Sequence, residues 1–218
     1  MRRKSRTEEQ RGSTPRILPA SFYARRPDEV AADLVGKLLV RAYGGARLSG
    51  VIVEAEAYFG AWDPASRARH RGGSLARAME WEPGRALVYG VHRQWLLNIV
   101  AHPPGEPGAV LIRALEPREG VEAMARLRGL GPGADPRLIA SGPGRLTAAL
   151  GVDKGFHGEP VTGGGRLWVE DVGLRLEVCR CGRVGVSRDL EEPHRYVARG
   201  SVFVSTWRGC PAECRGQG

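Results

Sequence analysis

The 218-residue chain is poor in lysine, which occurs only at Lys4, Lys37 and Lys154, so almost all of its positive charge is arginine. Arginine suits bidentate phosphate contacts and stacking on bases, although a GC-rich coding sequence would favour it too. Cysteine is scarce and late, at Cys179, Cys181, Cys210 and Cys214. A Cys-x-Cys pair followed by Cys-x-x-x-Cys offers four thiolates to zinc but departs from the Cys-x-x-Cys spacing of common zinc knuckles. A disulfide or free thiols is therefore the expectation, and no metal or cofactor is expected. Nothing marks a catalytic thiol. No run of 18 apolar residues is present, which excludes a membrane-spanning helix, and the N-terminus lacks the apolar stretch of a secretory signal. The sequence also lacks a phosphate-binding loop, a His-Glu-x-x-His motif, a Ser-His-Asp pattern and any internal repeat. These absences point to a protein without membrane contact, intracellular, and cytoplasmic or nucleoid-associated.

What is present is basic and of single-domain size. The 33 basic residues against 24 acidic ones leave a net charge of +9, which favours a polyanionic partner. Met1–Arg16 is polar, basic and aperiodic, and reads as a disordered arm. The domain is expected over residues 17–206, with a loose basic tail over 207–218. Pro27, Asp28 and Glu29 open a helix whose apolar positions Val30, Leu34 and Leu38 recur at helical spacing. Lys37–Tyr43 and Arg47–Tyr58, joined at Gly44-Gly45, read as a β-hairpin. A second hairpin is expected from Arg85–Val91 and Trp95–Val100, with His92-Arg93-Gln94 at its tip. Pro107–Ala114 reads as a buried strand whose apolar run Gly108–Ile112 ends in Arg113, and a buried guanidinium there requires a carboxylate or phosphate partner. Pro117 is expected to open a helix with Val121, Met124 and Leu127 on its apolar face, closed at Gly129. Ser141-Gly-Pro-Gly-Arg145 leads into another helix, closed at Gly151, whose N-terminus with Arg145 could hold a phosphate. Gly155–Gly165 reads as a linker, followed by strands at 166–169, 174–178, 196–198 and 202–205. The sum is an α+β fold: a single compact domain with a curved, hairpin-rich antiparallel sheet flanked by helices.

Two features bear on chemistry. Val51, Val53 and Ala55 alternate with Ile52, Glu54 and Glu56, so a strand sends both carboxylates to one face roughly 7 Å apart. Taken alone, an alternating glutamate on a strand is most often merely solvated. The stretch Phe59–Glu82 is irregular and arginine-dense, with Arg67, Arg69, His70, Arg71 and Arg77, and suits either a phosphate backbone or plain solvent.

Together, Glu56-Ala-Tyr-Phe-Gly60, Asp63-Pro-Ala-Ser66, Met79, Pro83-Gly84, Tyr89, Asn98, Val110–Pro117 and Ser141-Gly-Pro-Gly-Arg-Leu146 resemble the alkyladenine (3-methylpurine) DNA glycosylases. The likeness runs from Ile17 to Ser205. It implies a monofunctional DNA glycosylase of base excision repair, monomeric and cofactor-free, acting on double-stranded DNA that contains alkylated or deaminated purines. Such an enzyme pushes a wedge into the stack, flips the damaged base into an aromatic pocket and hydrolyses its N-glycosidic bond. Carried over residue by residue, the resemblance makes Glu56 the general base and Arg113 its holder. It makes Tyr58 and Tyr89 the rings that sandwich the base, and Asn98 the side chain that disfavours guanine. His92 becomes the wedge, a role open to Arg93 and Gln94, while Arg69, Arg71 and Arg145 serve the phosphates. The family commonly carries a pocket histidine where this chain has Arg67, so either Arg67 or His70 takes that place. A non-catalytic nucleic-acid-binding domain of similar fold is the other reading, with Glu56 then structural.

Overall fold

The computed structural model describes residues 16–70 and 72–216. The chain begins with a two-residue strand β1 (Arg16–Ile17) and a single turn α1 (Ala20–Tyr23), followed by helix α2 (Pro27–Leu34). The expected basic arm lies, up to residue 15, outside the described residues. In α2, Pro27 stands in the first turn with Asp28 and Glu29, where carboxylates favour the helix dipole, and Val30, Ala31 and Leu34 are buried. The helix stops at Leu34 instead of running on to Leu38. Val35 is extended, Gly36 takes φ +92°, and the Gly36 N–H donates to the Ile52 carbonyl at 2.8 Å, so the chain turns directly into the sheet.

Strand β2 (Leu38–Tyr43) pairs with β3 (Ala46–Tyr58) through the Gly44-Gly45 turn, as the sequence suggested. The loop after β3 holds a 3-10 turn at Arg67–Arg69 and a short helix α3 (Ser74–Ala78). The second hairpin joins β4 (Ala86–Val91) to β5 (Gln94–Val100), and β6 (Ala109–Glu119) follows. Pro117 does not open a helix. It lies within β6 opposite Gly50, where the register of β3 against β6 slips, so its missing N–H falls at an irregularity. Helix α4 (Val121–Leu127) starts only after Gly120, which is left-handed at φ +67°; a Cβ there would come within 2.7 Å of the Arg47 carbonyl oxygen. Next come α5 (Arg137–Ala140) and α6 (Pro143–Leu150), the latter closed by left-handed Gly151 as expected.

The late chain differs most from expectation. Residues 155–165 are no linker: Phe156 and Val161 are buried, and Ala86 and Val161 donate to the carbonyls of Glu159 and Gly84, fastening this stretch beside β4. Strands form at β7 (Leu167–Asp171), β8 (Val178–Cys181) and β9 (Arg195–Ala198). Residues 174–177 and 202–205 are not strands. Leu174 and Leu176 pack on the core without a ladder, and the Ser205 N–H is taken by the Glu54 carboxylate instead. The described part of the tail, residues 207–216, is not loose either, because Cys179–Cys214 and Cys181–Cys210 disulfides tie it to β8 and Cys214 is buried in a 3-10 turn at Ala212–Arg215.

The strands form one antiparallel sheet in the order β1-β7-β2-β3-β6-β5-β4, curled into a half-barrel, with β8 and β9 attached off this path. Strand β3 is its axis. On one edge it pairs with β6 from Ser49 to Tyr58; on the other it leaves β2 at Val51 and takes up β9 at Glu54. Helices α2, α4 and α6 cover the sheet over a core that includes Val30, Leu34, Leu39, Ile52, Ile112, Met124, Leu146 and Leu150. Each such burial contributes about 1.5–3 kcal/mol. Because β3 is paired on both sides and covered, Glu54 and Glu56 are buried, and the solvated reading of these glutamates fails. Among the described residues no helix is long and apolar enough to cross a membrane.

Candidate active site

Glu56 is fully buried, so each carboxylate oxygen requires a donor. Its Oε2 accepts from the Tyr58 hydroxyl at 2.7 Å and from Arg113 Nη1 at 3.3 Å, and its Oε1 accepts from the Val184 backbone N–H at 2.8 Å. Burial pushes the carboxyl up, and the Arg113 charge with the two remaining donors only partly opposes it, leaving a net raised pKa. Burial and the neighbouring Glu56 charge push the Tyr58 phenol well up, so its hydroxyl keeps its proton and donates. Arg113 is opposed by burial, but the charges of Glu56 and Glu54 outweigh it and hold the guanidinium protonated.

A second layer of charge fixes Arg113. Its Nε donates to Glu54 Oε1 at 2.8 Å, and Glu54 also accepts from Arg195 Nη1 at 3.1 Å and from the Ser205 N–H at 2.7 Å. Glu54 and Arg195 are both fully buried, and the two arginines balance the two glutamates. A third cluster holds the loop that caps Glu56: Arg183 makes a two-point ion pair with Asp63 at 2.7 and 2.8 Å and donates to the Ala57 carbonyl at 3.0 Å. It also lies over the Tyr58 ring at 4.7 Å. Burial raises the Asp63 carboxyl, but the hydrogen bonds and charge of Arg183 and the Phe59 and Ala65 N–H groups bring it below the usual range. Arg183 therefore fixes both the tyrosine ring and the Val184 N–H that caps Glu56.

In front of this carboxylate opens a cavity of about 490 Å³, lined by Tyr58, Tyr89, Asn98, His70, His92 and Arg113 among others. That volume falls within the usual range of small-molecule pockets, about 300–1,000 Å³. Tyr58 comes from the end of β3, Tyr89 from β4 and Asn98 from β5, where its Nδ2 donates to the Leu87 carbonyl at 3.1 Å. Seven residues singled out in the sequence thus converge on one place: these six and Glu56 behind them. His70 is exposed and accepts from Arg69 Nε at 3.1 Å, while Arg69 Nη1 folds back on the Pro64 carbonyl at 2.7 Å. Arg67, also exposed, lines the cavity with its guanidinium 5.5 Å from the centre of the Tyr89 ring.

The hairpin tip is a two-residue turn, since Val91 pairs with Gln94. His92 faces the main cavity, whereas Arg93 and Arg145 line a neighbouring recess of about 250 Å³ together with Arg128. Gln94 belongs to β5 and packs on α6, where a Cβ at Gly144 would stand 1.9 Å from its Oε1, so it is not at the tip. Arg71 falls outside the described residues. Sequence reasoning missed the supporting residues Glu54, Asp63, Arg183, Arg195 and Ser205. Two carried a signal: Glu54 shares the face of Glu56, and Asp63 opens the Asp-Pro-Ala-Ser motif. Arg183 and Arg195 lie in an aperiodic, charge-rich stretch with no pattern to distinguish them.

Comparison with known proteins agrees in extent with the fold. The model of the methylpurine-DNA glycosylase family matches residues 21–202. The chain is 50% identical over 201 residues to a protein of Aeropyrum pernix, covering 90% of this chain and 97% of the relative. It is 43% identical over 194 residues to one of Koribacter versatilis, covering 86% and 92%, and 39% identical over 193 residues to one of Bacillus subtilis, covering 86% and 96%. All three carry the provisional name 3-methyladenine DNA glycosylase.

Proposed function

The chain belongs to the methylpurine-DNA glycosylase family and is a DNA glycosylase of base excision repair, and from this premise we propose that Glu56 is its general base. It activates water against the sugar carbon of a damaged purine nucleotide flipped out of duplex DNA. In the reaction the C1′–N bond breaks with its electron pair leaving on the base, the water oxygen bonds to C1′, and the water proton passes to Glu56. The passage through a cation-like sugar explains why a carboxylate serves: it stabilises the developing charge and orients the attacking water. Arg113 and the Val184 N–H hold that carboxylate in one orientation, and Tyr58 and Tyr89 offer the ring faces between which the base stacks. Asn98 and His70 border the base edge.

His92, at the exposed tip of the second hairpin, fills the gap left in the stack. Arg93 and Arg145 receive backbone phosphates beside it and Arg69 does so across the cavity, and the same role is proposed for Arg71 on its sequence alone. The substrates are alkylated purines, as the relatives' names suggest, together with deaminated ones. One chain supplies the whole constellation, which supports a monomer acting inside the cell on chromosomal DNA.

The observation that carries this reading is the fully buried Glu56, its oxygens bonded to Tyr58, Arg113 and Val184 directly behind an aromatic-lined cavity. Glu56→Gln preserves the size of the side chain. It should bind lesion-bearing or abasic duplex as the parent does while base release falls about 100-fold or more. Release at the parental rate would remove Glu56 as the base and favour a non-catalytic nucleic-acid-binding role.

A further inference from the structure

Among the described residues, the cavity in front of Glu56 is lined by three arginines, Arg67, Arg69 and Arg113, and by no carboxylate. Two of these charges are committed. Arg113 is held by Glu54 and Glu56, and Arg69 is hydrogen-bonded within its own loop. Arg67 differs: among the described residues its guanidinium has neither an ion pair nor a side-chain hydrogen bond, and what it touches is the Tyr89 ring, 5.5 Å from the centroid. The backbone beneath it is fixed, because Arg67 opens a 3-10 turn capped by the Ser66 hydroxyl, and Ser66 and Ala68 are buried. A fixed backbone therefore delivers an uncommitted cation to one of the two rings that would receive the base.

This has a direct consequence for what the pocket accepts. A purine alkylated at N3 or N7 is a cation, and its affinity for an aromatic pocket rests on attraction to the ring faces. Arg67 already occupies that interaction on Tyr89, and its charge opposes a second positive charge brought to the same ring. A neutral purine with an exocyclic oxygen has the opposite relation to it. Its carbonyl accepts from the free guanidinium donors, and a cation next to that oxygen stabilises negative charge on the departing base.

Resting on the reading of this cavity as the base pocket, we infer that Arg67 is a specificity-determining residue that, among the purines this enzyme releases, raises neutral, oxo-bearing deaminated ones relative to cationic N-alkylpurines. Asn98 and the two tyrosines supply shape; Arg67 supplies the sign of the charge.

The test is single-turnover release from two duplexes, one carrying hypoxanthine and one carrying 7-methylguanine, by the full chain and by Arg67→Gln and Arg67→Lys. Arg67→Gln removes the charge and should lower the ratio of hypoxanthine to 7-methylguanine release by roughly tenfold, with the 7-methylguanine rate rising in absolute terms. Arg67→Lys keeps the charge but loses the planar fork, so discrimination against 7-methylguanine should persist while hypoxanthine release falls. A ratio within twofold of the parent in Arg67→Gln, with both bases still released, would overturn the role of Arg67 and leave the glycosylase mechanism standing. Release of neither base by the parent enzyme would overturn the pocket reading, and this inference with it.

Discussion

Glu56 is where burial and charge oppose each other most directly. Burial raises its carboxyl above the ordinary value of 4.5, and the Arg113 charge, the Val184 N–H and the Tyr58 hydroxyl recover only part of the difference. A carboxyl with a raised folded-state pKa holds its proton more tightly in the fold than in the unfolded chain. Its stabilising effect is complete at low pH and is lost as pH rises through the folded value. The ionised form required of a general base is thus carried against stability, which is the pattern expected of a functional group. The rate of base release should therefore rise about tenfold per pH unit on the acid side and level off at a midpoint above 4.5. Arg113→Met removes the largest opposing influence, so the midpoint should move further up. Rate–pH profiles of the two proteins decide this, and a midpoint at or below the ordinary carboxylate value would count against Glu56. At this scale the sequence was informative wherever chemistry is local. The Glu-Ala-Tyr run and an arginine directly after an apolar run both pointed to groups that meet in space, although β6 continues past Arg113 to Glu119. It was silent on Arg183 and Arg195, whose partners Asp63 and Glu54 lie 120 and 141 residues away along the chain, because a long-range ion pair leaves no periodic trace.

Among the elements, the β4–β5 hairpin carries the clearest sign of function over stability. Its two turn residues, His92 and Arg93, both adopt left-handed backbone angles, φ +48° and +63°, as a two-residue turn of this hand requires. Neither is glycine or asparagine, and a left-handed conformation disfavours ordinary side chains by roughly 1–2 kcal/mol per residue. Replacing the pair by Asn-Gly should stabilise the protein by about 1–2 kcal/mol, read as a higher melting temperature. It should also lower lesion excision, because the side chains that face the cavity and its neighbouring recess are gone. Greater stability with undiminished excision would show that the tip takes no part in flipping. The two hairpins were legible because glycine turns and alternating apolar strands act over a few residues. The Pro117 helix and the strands at 174–178 and 202–205 were misread for the opposite reason. A proline can be absorbed at a register slip, and an apolar stretch can pack without finding a ladder partner; both outcomes depend on neighbours far away in sequence.

For the molecule as a whole, covalent bonds join strand pairing and buried ion pairs in fixing the segment behind the active site. Cys179–Cys214 spans 35 positions and encloses Cys181–Cys210, which spans 29. Between them lie Arg183, Val184 and Arg195, the groups that cap Glu56 and brace Glu54, and Arg195 Nη2 also approaches Cys210 Sγ at 3.3 Å. The separate apolar cluster here is small, Val197 and Val204 with the cysteines, so beside the bridges this region is held by the pairing of β9 with β3, by Tyr196 and Ala198 in the main core and by the buried ion pairs of Arg183 and Arg195. Closing a loop of this length stabilises by about 3–4 kcal/mol in the chain-entropy view, and because one bridge is nested in the other their effects do not simply add. Full reduction should therefore lower the melting temperature by roughly 6–15 °C. The two bridges should differ in their effect on catalysis. Cys181 directly precedes the Gly182-Arg183-Val184 cap, whereas Cys179 and Cys214 lie two and four residues further out than their inner counterparts. Cys181→Ser with Cys210→Ser should reduce base release well below the melting transition by loosening the Val184 N–H from Glu56. Cys179→Ser with Cys214→Ser should mainly lower the transition itself. Equal excision by both double variants at a temperature where each is folded would mean that Asp63, the Ala57 carbonyl and Asp189, whose Oδ1 accepts from Arg183 Nε at 2.8 Å, hold Arg183 in place without the inner bridge, which then serves stability only.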